Sequence, residues 1–188
     1  MISMDAIEQA FKKIHRQDFV PESLKDQVNI DAPLPIGFGQ TNSQPTTVRL
    51  MLEWLDVQPG EKVLDLGSGS GWTTALLSNI IGSKGSVFAV EIIPELVKLG
   101  RNNCNNAGVQ NVKFFQAGEK YGLLEHSPYD RILVSASAKK FPEELLVQLK
   151  ISGKLVIPVI NDILEITKTS DFDYESITHS GFVFVPLV

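Results

Sequence analysis

The 188-residue chain carries a formal net charge of −5, with 43% hydrophobic and 21% charged residues, a balance expected of a globular domain with a full core. Its Lys and Arg residues form no block, which argues against nucleic-acid binding because phosphate contact needs clustered basic side chains. The single cysteine, Cys104, excludes an internal disulfide and a Cys-x-x-Cys metal site, and no apolar run has signal or membrane-spanning length, so a cytoplasmic protein with no membrane partner is expected.

Residues 4–16 place Met4, Ile7, Ala10, Phe11 and Ile14 at helical spacing, with Lys12, Lys13 and Arg16 toward the C-terminal end, where basic side chains suit the helix dipole. Asp18-Phe19-Val20-Pro21-Glu22 breaks this pattern, and residues 22–28 suit one or two further helical turns. Residues 31–44 are rich in Pro, Gly and polar side chains but include Leu34, Ile36 and Phe38. An ordered loop is therefore expected there, not a solvated linker. Ser43 is expected to cap the next helix, with Pro45 in its first turn. Val48, Leu50, Met51, Leu52, Trp54 and Leu55 make that helix heavily apolar, and Pro59-Gly60 forms a turn after it.

Residues 63–66 read as a buried strand that runs through Gly67-Ser68-Gly69-Ser70-Gly71 into a helix at 72–81. This arrangement suits a nucleotide-like ligand, which can lie against bare backbone near the amides of the helix start. One glycine would make the turn, and three need another reason. Trp72 occupies the position of the third glycine in a dinucleotide fingerprint, so the loop is a poor NAD motif. Strands are expected at 86–91, 112–116 and 131–134. Between the first two, Pro94 opens a helix that Gly108 ends. Pro142 opens another helix through Leu149, and Ser152-Gly153 turns into a strand at 154–160. Asn161-Asp162 suggests a hairpin, and residues 182–185 read as a last strand. The alternation predicts an α/β, Rossmann-like doubly wound sheet, mostly parallel with an antiparallel C-terminal part.

Glu91 ends the second core strand, 20 residues beyond Gly71, where a carboxylate in such a fold accepts hydrogen bonds from ribose hydroxyls. Ala117-Gly118-Glu119 ends the third strand on the same sheet edge, where Glu119 suits a purine amino group. His15, His126 and His179 are scattered without ligand spacing or a nucleophile beside them, so no metal site is expected. Ser68 lies in a formal Gly-x-Ser-x-Gly match, but no His partner supports a hydrolase elbow.

Asp65, two residues before Gly67, fits the glycine loop of S-adenosylmethionine (AdoMet) methyltransferases. Two further stretches are more specific. One is Pro33-Leu34-Pro35-Ile36-Gly37 followed by Gly39-Gln40-Thr41-Asn42-Ser43-Gln44-Pro45. The other comprises Pro128-Tyr129-Asp130, Gln148-Leu149-Lys150, Gly153-Lys154-Leu155-Val156-Ile157-Pro158-Val159 and Phe184-Val185-Pro186-Leu187. With Arg16-Gln17-Asp18-Phe19-Val20-Pro21-Glu22, these resemble the protein-L-isoaspartate O-methyltransferase family from about residue 5 to the end.

The resemblance implies a class I AdoMet methyltransferase that methylates the α-carboxylate of L-isoaspartyl residues in peptides or proteins. One domain is expected over residues 1–188, acting as a monomer, with residues 1–45 forming an N-terminal helix and substrate-side loop. Ser43 matches the serine that places the substrate carboxylate. Asp65, Gly67, Ser68, Gly69 and Gly71 match the methionine side of the cofactor site. Glu91 and Ile92 match its ribose side, and Gly118 and Glu119 its adenine side. Ile36, Gln40, Thr41 and Asn42 are expected toward the substrate. The chain departs from the family at Val28-Asn29, at Asn42 (usually apolar), at Thr46 (usually aromatic or His), at Glu119-Lys120, and at Ile160, where glycine is usual. A relative that methylates another peptide carboxylate, or a non-catalytic AdoMet-binding module, are the alternatives.

Overall fold

The computed structural model describes residues 4–187. Helix α1 spans Met4–Lys13. It buries Ile7 and Ala10, while the side chain of Met4 lies outside the described residues. The helix ends earlier than the periodicity suggests. Two 3₁₀ turns follow, Arg16–Phe19 and Glu22–Gln27, and the first carries Arg16 inward to 6% exposure. Within the loop expected at 31–44, strands β1 (Leu34–Gly37) and β2 (Gln40–Asn42) pair antiparallel as a hairpin.

Helix α2 (Pro45–Leu55) is not capped by Ser43. Its N-cap is Gln44, whose side chain makes no capping bond. The task falls to Asp31, which accepts the Thr46 amide at 2.9 Å, the Thr46 hydroxyl at 2.8 Å and the Gln44 side-chain amide at 3.0 Å. These bonds, the Thr46 amide first, hold its carboxyl below the usual range. A residue 15 positions away in sequence thus satisfies an open helix amide, which local pattern reading could not find.

The remaining elements are β3 (Lys62–Leu66), α3 (Trp72–Ile81), β4 (Ser86–Glu91), α4 (Pro94–Asn106), β5 (Val112–Gln116), β6 (Tyr129–Val134), α5 (Glu144–Val147), β7 (Leu149–Val159), β8 (Asp162–Lys168) and β9 (Tyr174–Ser180). The large sheet has the order β5-β4-β3-β6-β7-β8-β9. Strands β3 to β7 pair in parallel, and β8 and β9 pair antiparallel. This agrees with the expected sheet. Its order reverses at β3, whose neighbours are β4 and β6, so a crevice opens at the C-terminal ends of these strands. Val63, Val87, Leu133 and Val156 face one apolar cluster with α1, α2 and α3. Leu64, Phe88, Ile132 and Leu155 face a second cluster, covered by Leu123, Leu145, Leu149 and Leu187.

Two expectations change. The helix expected from Pro142 to Leu149 shrinks to the four residues of α5. Leu149 already belongs to β7, and the Gln148 side chain is drawn to the Leu123 amide and the Tyr121 carbonyl. Residues 182–185 do not form the last strand. That strand is β9, almost wholly exposed, so its sequence lacks the apolar alternation that marks a half-buried strand. Residues 182–187 instead run back over the crevice, where the Ser137 amide donates to Val185 and the Leu187 amide to Ser137.

The hairpin between β7 and β8 turns at Ile160, which holds a left-handed φ of 58° at 64% exposure. A β-branched residue is strained there, whereas glycine is not. Ile160→Gly is expected to stabilise the chain by up to about 1 kcal/mol, read as a raised urea midpoint. An unchanged or lowered midpoint would show the turn is unstrained.

Candidate active site

The crevice holds a cavity built from strand ends. Leu66 ends β3 and Gly67 and Gly69 follow it, Glu91 ends β4 and Ile92 follows it, Gly118 and Glu119 follow β5, and Ser135 and Ala136 follow β6. The hairpin adds Gln40 and Thr41, and the C-terminal segment adds Val185, Pro186 and Leu187. A second cavity adjoins it, lined by Ser43, Gln44, Thr46, Thr47, Leu50, Pro33, residues 181–184 and, again, Thr41, Ser135 and Val185. These last three residues mark the junction of the two spaces.

The predicted residues therefore divide. Gly67, Gly69, Glu91, Ile92, Gly118 and Glu119 converge on the first cavity, and Ser43 lines the second. Gln40 and Thr41, expected toward the substrate, also line the first. Ile36 lies beneath, its Cδ1 3.2 Å from where a Cβ on Gly69 would stand. Asn42 is not brought to either cavity. It is 4% exposed, its Oδ1 accepting from Arg16 Nε at 2.8 Å and its Nδ2 donating to Ser70 Oγ at 3.3 Å.

Behind the wall lie Asp65, Ser68 and Gly71. Gly71 has a different reason from the one its spacing suggests. A Cβ there would stand 3.0 Å from the Gly100 carbonyl and 3.1 Å from Cys104 Sγ. Gly71 thus admits the close approach of helix α4, and it lines neither cavity. Burial pushes the Cys104 thiol up to about 12, so it is inert. Trp72 anchors α1, donating from its indole to Ile14 at 3.4 Å and meeting Phe11 edge-on.

Glu91 is 6% exposed. Its Oε2 accepts the Gly69 amide at 2.9 Å and its Oε1 the Ile93 amide at 3.0 Å. A carboxylate has about four acceptor positions, so capacity remains on the cavity side for a diol. Asp65 is fully buried. Its Oδ2 accepts from Thr74 at 2.5 Å, while its Oδ1 and Ser68 Oγ are buried without a partner. Both atoms lie behind the wall and line neither cavity, so the fit to AdoMet, a cation that carries a ribose diol, rests on the Glu91 carboxylate.

Burial raises the Asp65 carboxyl from 3.8 to about 6, with the Thr74 hydrogen bond opposing the rise and Glu91 adding to it. The folded value exceeds the unfolded one. The associated stability is therefore complete below about pH 4 and lost as pH rises through 6. Asp65→Asn is expected to gain thermal stability relative to the wild type from pH 4 to 7 and then level off. Calorimetry across that range checks this, and a constant difference would place the titration elsewhere.

The sequence profile of the family protein-L-isoaspartate(D-aspartate) O-methyltransferase (PCMT) matches residues 1–188. The chain belongs to this family. The protein-L-isoaspartate O-methyltransferases of Pyrococcus horikoshii and Methanopyrus kandleri are 42% and 43% identical to it, over all of this chain and 87% and 85% of theirs. A solved protein-L-isoaspartate O-methyltransferase superposes over the whole chain with a TM-score of 0.91 at 29% identity, and this chain spans 62% of that protein. A structure described as a PCMT from Plasmodium falciparum in complex with S-adenosyl-L-homocysteine (AdoHcy) gives 0.87 at 26% identity, covering 98% of this chain and 90% of that one.

Against that family pattern, Asn42 and Thr46 are both satisfied within the chain, the first by Arg16 and Ser70, the second by Asp31. Sequence reading missed Ser135, Ala136, Tyr121 and residues 185–187 in the first cavity. Ser135 was within reach of the strand-end rule, since it follows β6 on the same edge as Glu91. Among the described residues no group of three His, Cys, Asp or Glu is placed to hold a metal, and no helix is long and apolar enough to cross a membrane.

Proposed function

We propose that this chain transfers the methyl group of AdoMet to the α-carboxylate of L-isoaspartyl residues in peptides or damaged proteins. The methyl ester then closes to a succinimide, which reopens partly to normal aspartate. The observation that carries the reading is the pair of adjoining cavities. The first has a carboxylate at its ribose end, and the second is lined by Ser43 without a charged side chain. Bound AdoMet supplies an electrophilic methyl with a neutral thioether as leaving group.

The chain's own residues then position and desolvate. The glycine loop takes the methionine end, Glu91 and Ile92 the ribose, and Gly118 and Glu119 the adenine. The Ser43 hydroxyl donates to the substrate carboxylate from the second cavity. That carboxylate is ionised at pH 7 (ordinary pKa about 3.9), so no general base is required, and two of the histidines are engaged elsewhere. His179 stacks on Trp54 at 3.7 Å, and His126 leans on Phe88 and Phe115. The hairpin and residues 182–185 exclude water from the nucleophile, which strengthens its attack.

Purified protein with labelled AdoMet is expected to methylate an isoaspartyl peptide and leave its aspartyl twin unlabelled. Equal labelling of both peptides, or of neither, would overturn the assignment.

A further inference from the structure

Ser43 follows a hairpin that reaches the glycine loop. Ile36 lies over Gly69, but an apolar contact of this kind tolerates sliding. A directional link comes from Asn42. Its Oδ1 accepts from Arg16 Nε at 2.8 Å, and its Nδ2 donates to Ser70 Oγ, in the glycine loop, at 3.3 Å. Arg16 Nη2 also donates to the main-chain oxygens of Asn42 at 3.2 Å and Ser43 at 3.0 Å. Asn42 and Ser70 are 4% and 2% exposed, so water does not compete for these bonds.

We propose that Asn42 is a positioning residue for methyl transfer. It bridges Arg16 and Ser70 and so sets the register of the Ser43 hairpin on the glycine loop. This rests on the methyltransferase reading above. The bridge touches neither cavity, so it acts through the alignment of Ser43 with the cofactor loop. A displacement of about 1 Å at a positioning group lowers turnover by one to two orders of magnitude, while groups that only bind are little affected.

The test uses Ser70→Ala, Asn42→Leu and Asn42→Asp in the full chain. Ser70→Ala removes one end of the bridge and Asn42→Leu both. Asn42→Asp keeps an acceptor for Arg16 and offers a second oxygen to the Ser70 hydroxyl. Expected are a roughly tenfold fall in kcat for Ser70→Ala and Asn42→Leu, KM for AdoMet and isoaspartyl peptide within about twofold of wild type, and recovery of most of kcat in Asn42→Asp. Unchanged kcat in Ser70→Ala, or Asn42→Asp no better than Asn42→Leu, overturns the proposal. If Asn42→Leu does not fold, Ser70→Ala and Asn42→Asp decide. A wild type inactive on the peptide overturns the methyltransferase reading instead. Amide exchange then tests the bridge without catalysis: the hairpin amides of Ser70→Ala are expected to exchange about tenfold faster than wild type, and equal rates overturn it.

Discussion

Arg16→Ala is expected to destabilise the chain by about 3–5 kcal/mol and to loosen residues 28–43 first. The Arg16 guanidinium is 6% exposed. It donates to the carbonyls of Val28, Ile30, Ala32, Asn42 and Ser43 and to the Asn42 side chain, and it lies 5.4 Å over the Trp72 ring. Burial lowers its pKa and Asp31 opposes that shift, yet an arginine stays charged at any working pH. Removing it leaves these acceptors facing one another with no donor, so the loops must open to water. Lysine has three donors on one atom and no planar fork, so Arg16→Lys is expected to fall nearer to alanine than to wild type. Urea denaturation measures the loss. A loss under about 1 kcal/mol in Arg16→Ala would show that the loops hold themselves.

The second large effect is expected at Glu91. Glu91→Ala removes the acceptor of the Gly69 and Ile93 amides and, in the proposed complex, the partner of the ribose hydroxyls. Hydrogen bonds to a charged group contribute about 1.5–3 kcal/mol each. A loss near 3 kcal/mol raises the Kd for AdoHcy about 100-fold. Ser43→Ala is expected to show the opposite signature, with a large fall in turnover and little change in AdoHcy affinity, because Ser43 lines the second cavity and not the first. Calorimetry with AdoHcy and steady-state kinetics with an isoaspartyl peptide separate the two. A Glu91→Ala protein that binds AdoHcy normally would remove the ribose role. Unchanged turnover in Ser43→Ala would leave that serine without a part in transfer.

Much of the first cavity was legible before folding. A strand, three glycines and a helix form within a score of residues, and strand alternation puts Glu91 and Gly118 on one sheet edge wherever the sheet is parallel. The hairpin was legible only as an ordered loop. Its strands are short, and Gly37, Phe38 and Gly39 all hold positive φ at its tip, which blurs any period of two. The misread end of the chain has a similar cause. Phe182, Phe184 and Val185 alternate like a strand because they turn toward different surroundings, with both phenylalanines against one core cluster and Val185 against the other. Strand β9 shows no pattern because neither of its faces is buried.

By itself, then, the sequence determined the alternation of strands and helices from β3 to β7, the glycine loop after β3, the carboxylates at the ends of later strands and the family. All of these depend on residues close together along the chain. Tertiary structure alone decided why Gly71 must be glycine, where Asn42 points, what caps α2 and what holds the Ser43 loop. In each case the partner is remote: Gly100 and Cys104 against Gly71, Ser70 for Asn42, Asp31 for Thr46, and Arg16 for five carbonyls. Buried polar groups must find partners, but the fold chooses which, because only packing brings distant donors within 3 Å or so of the acceptors they satisfy.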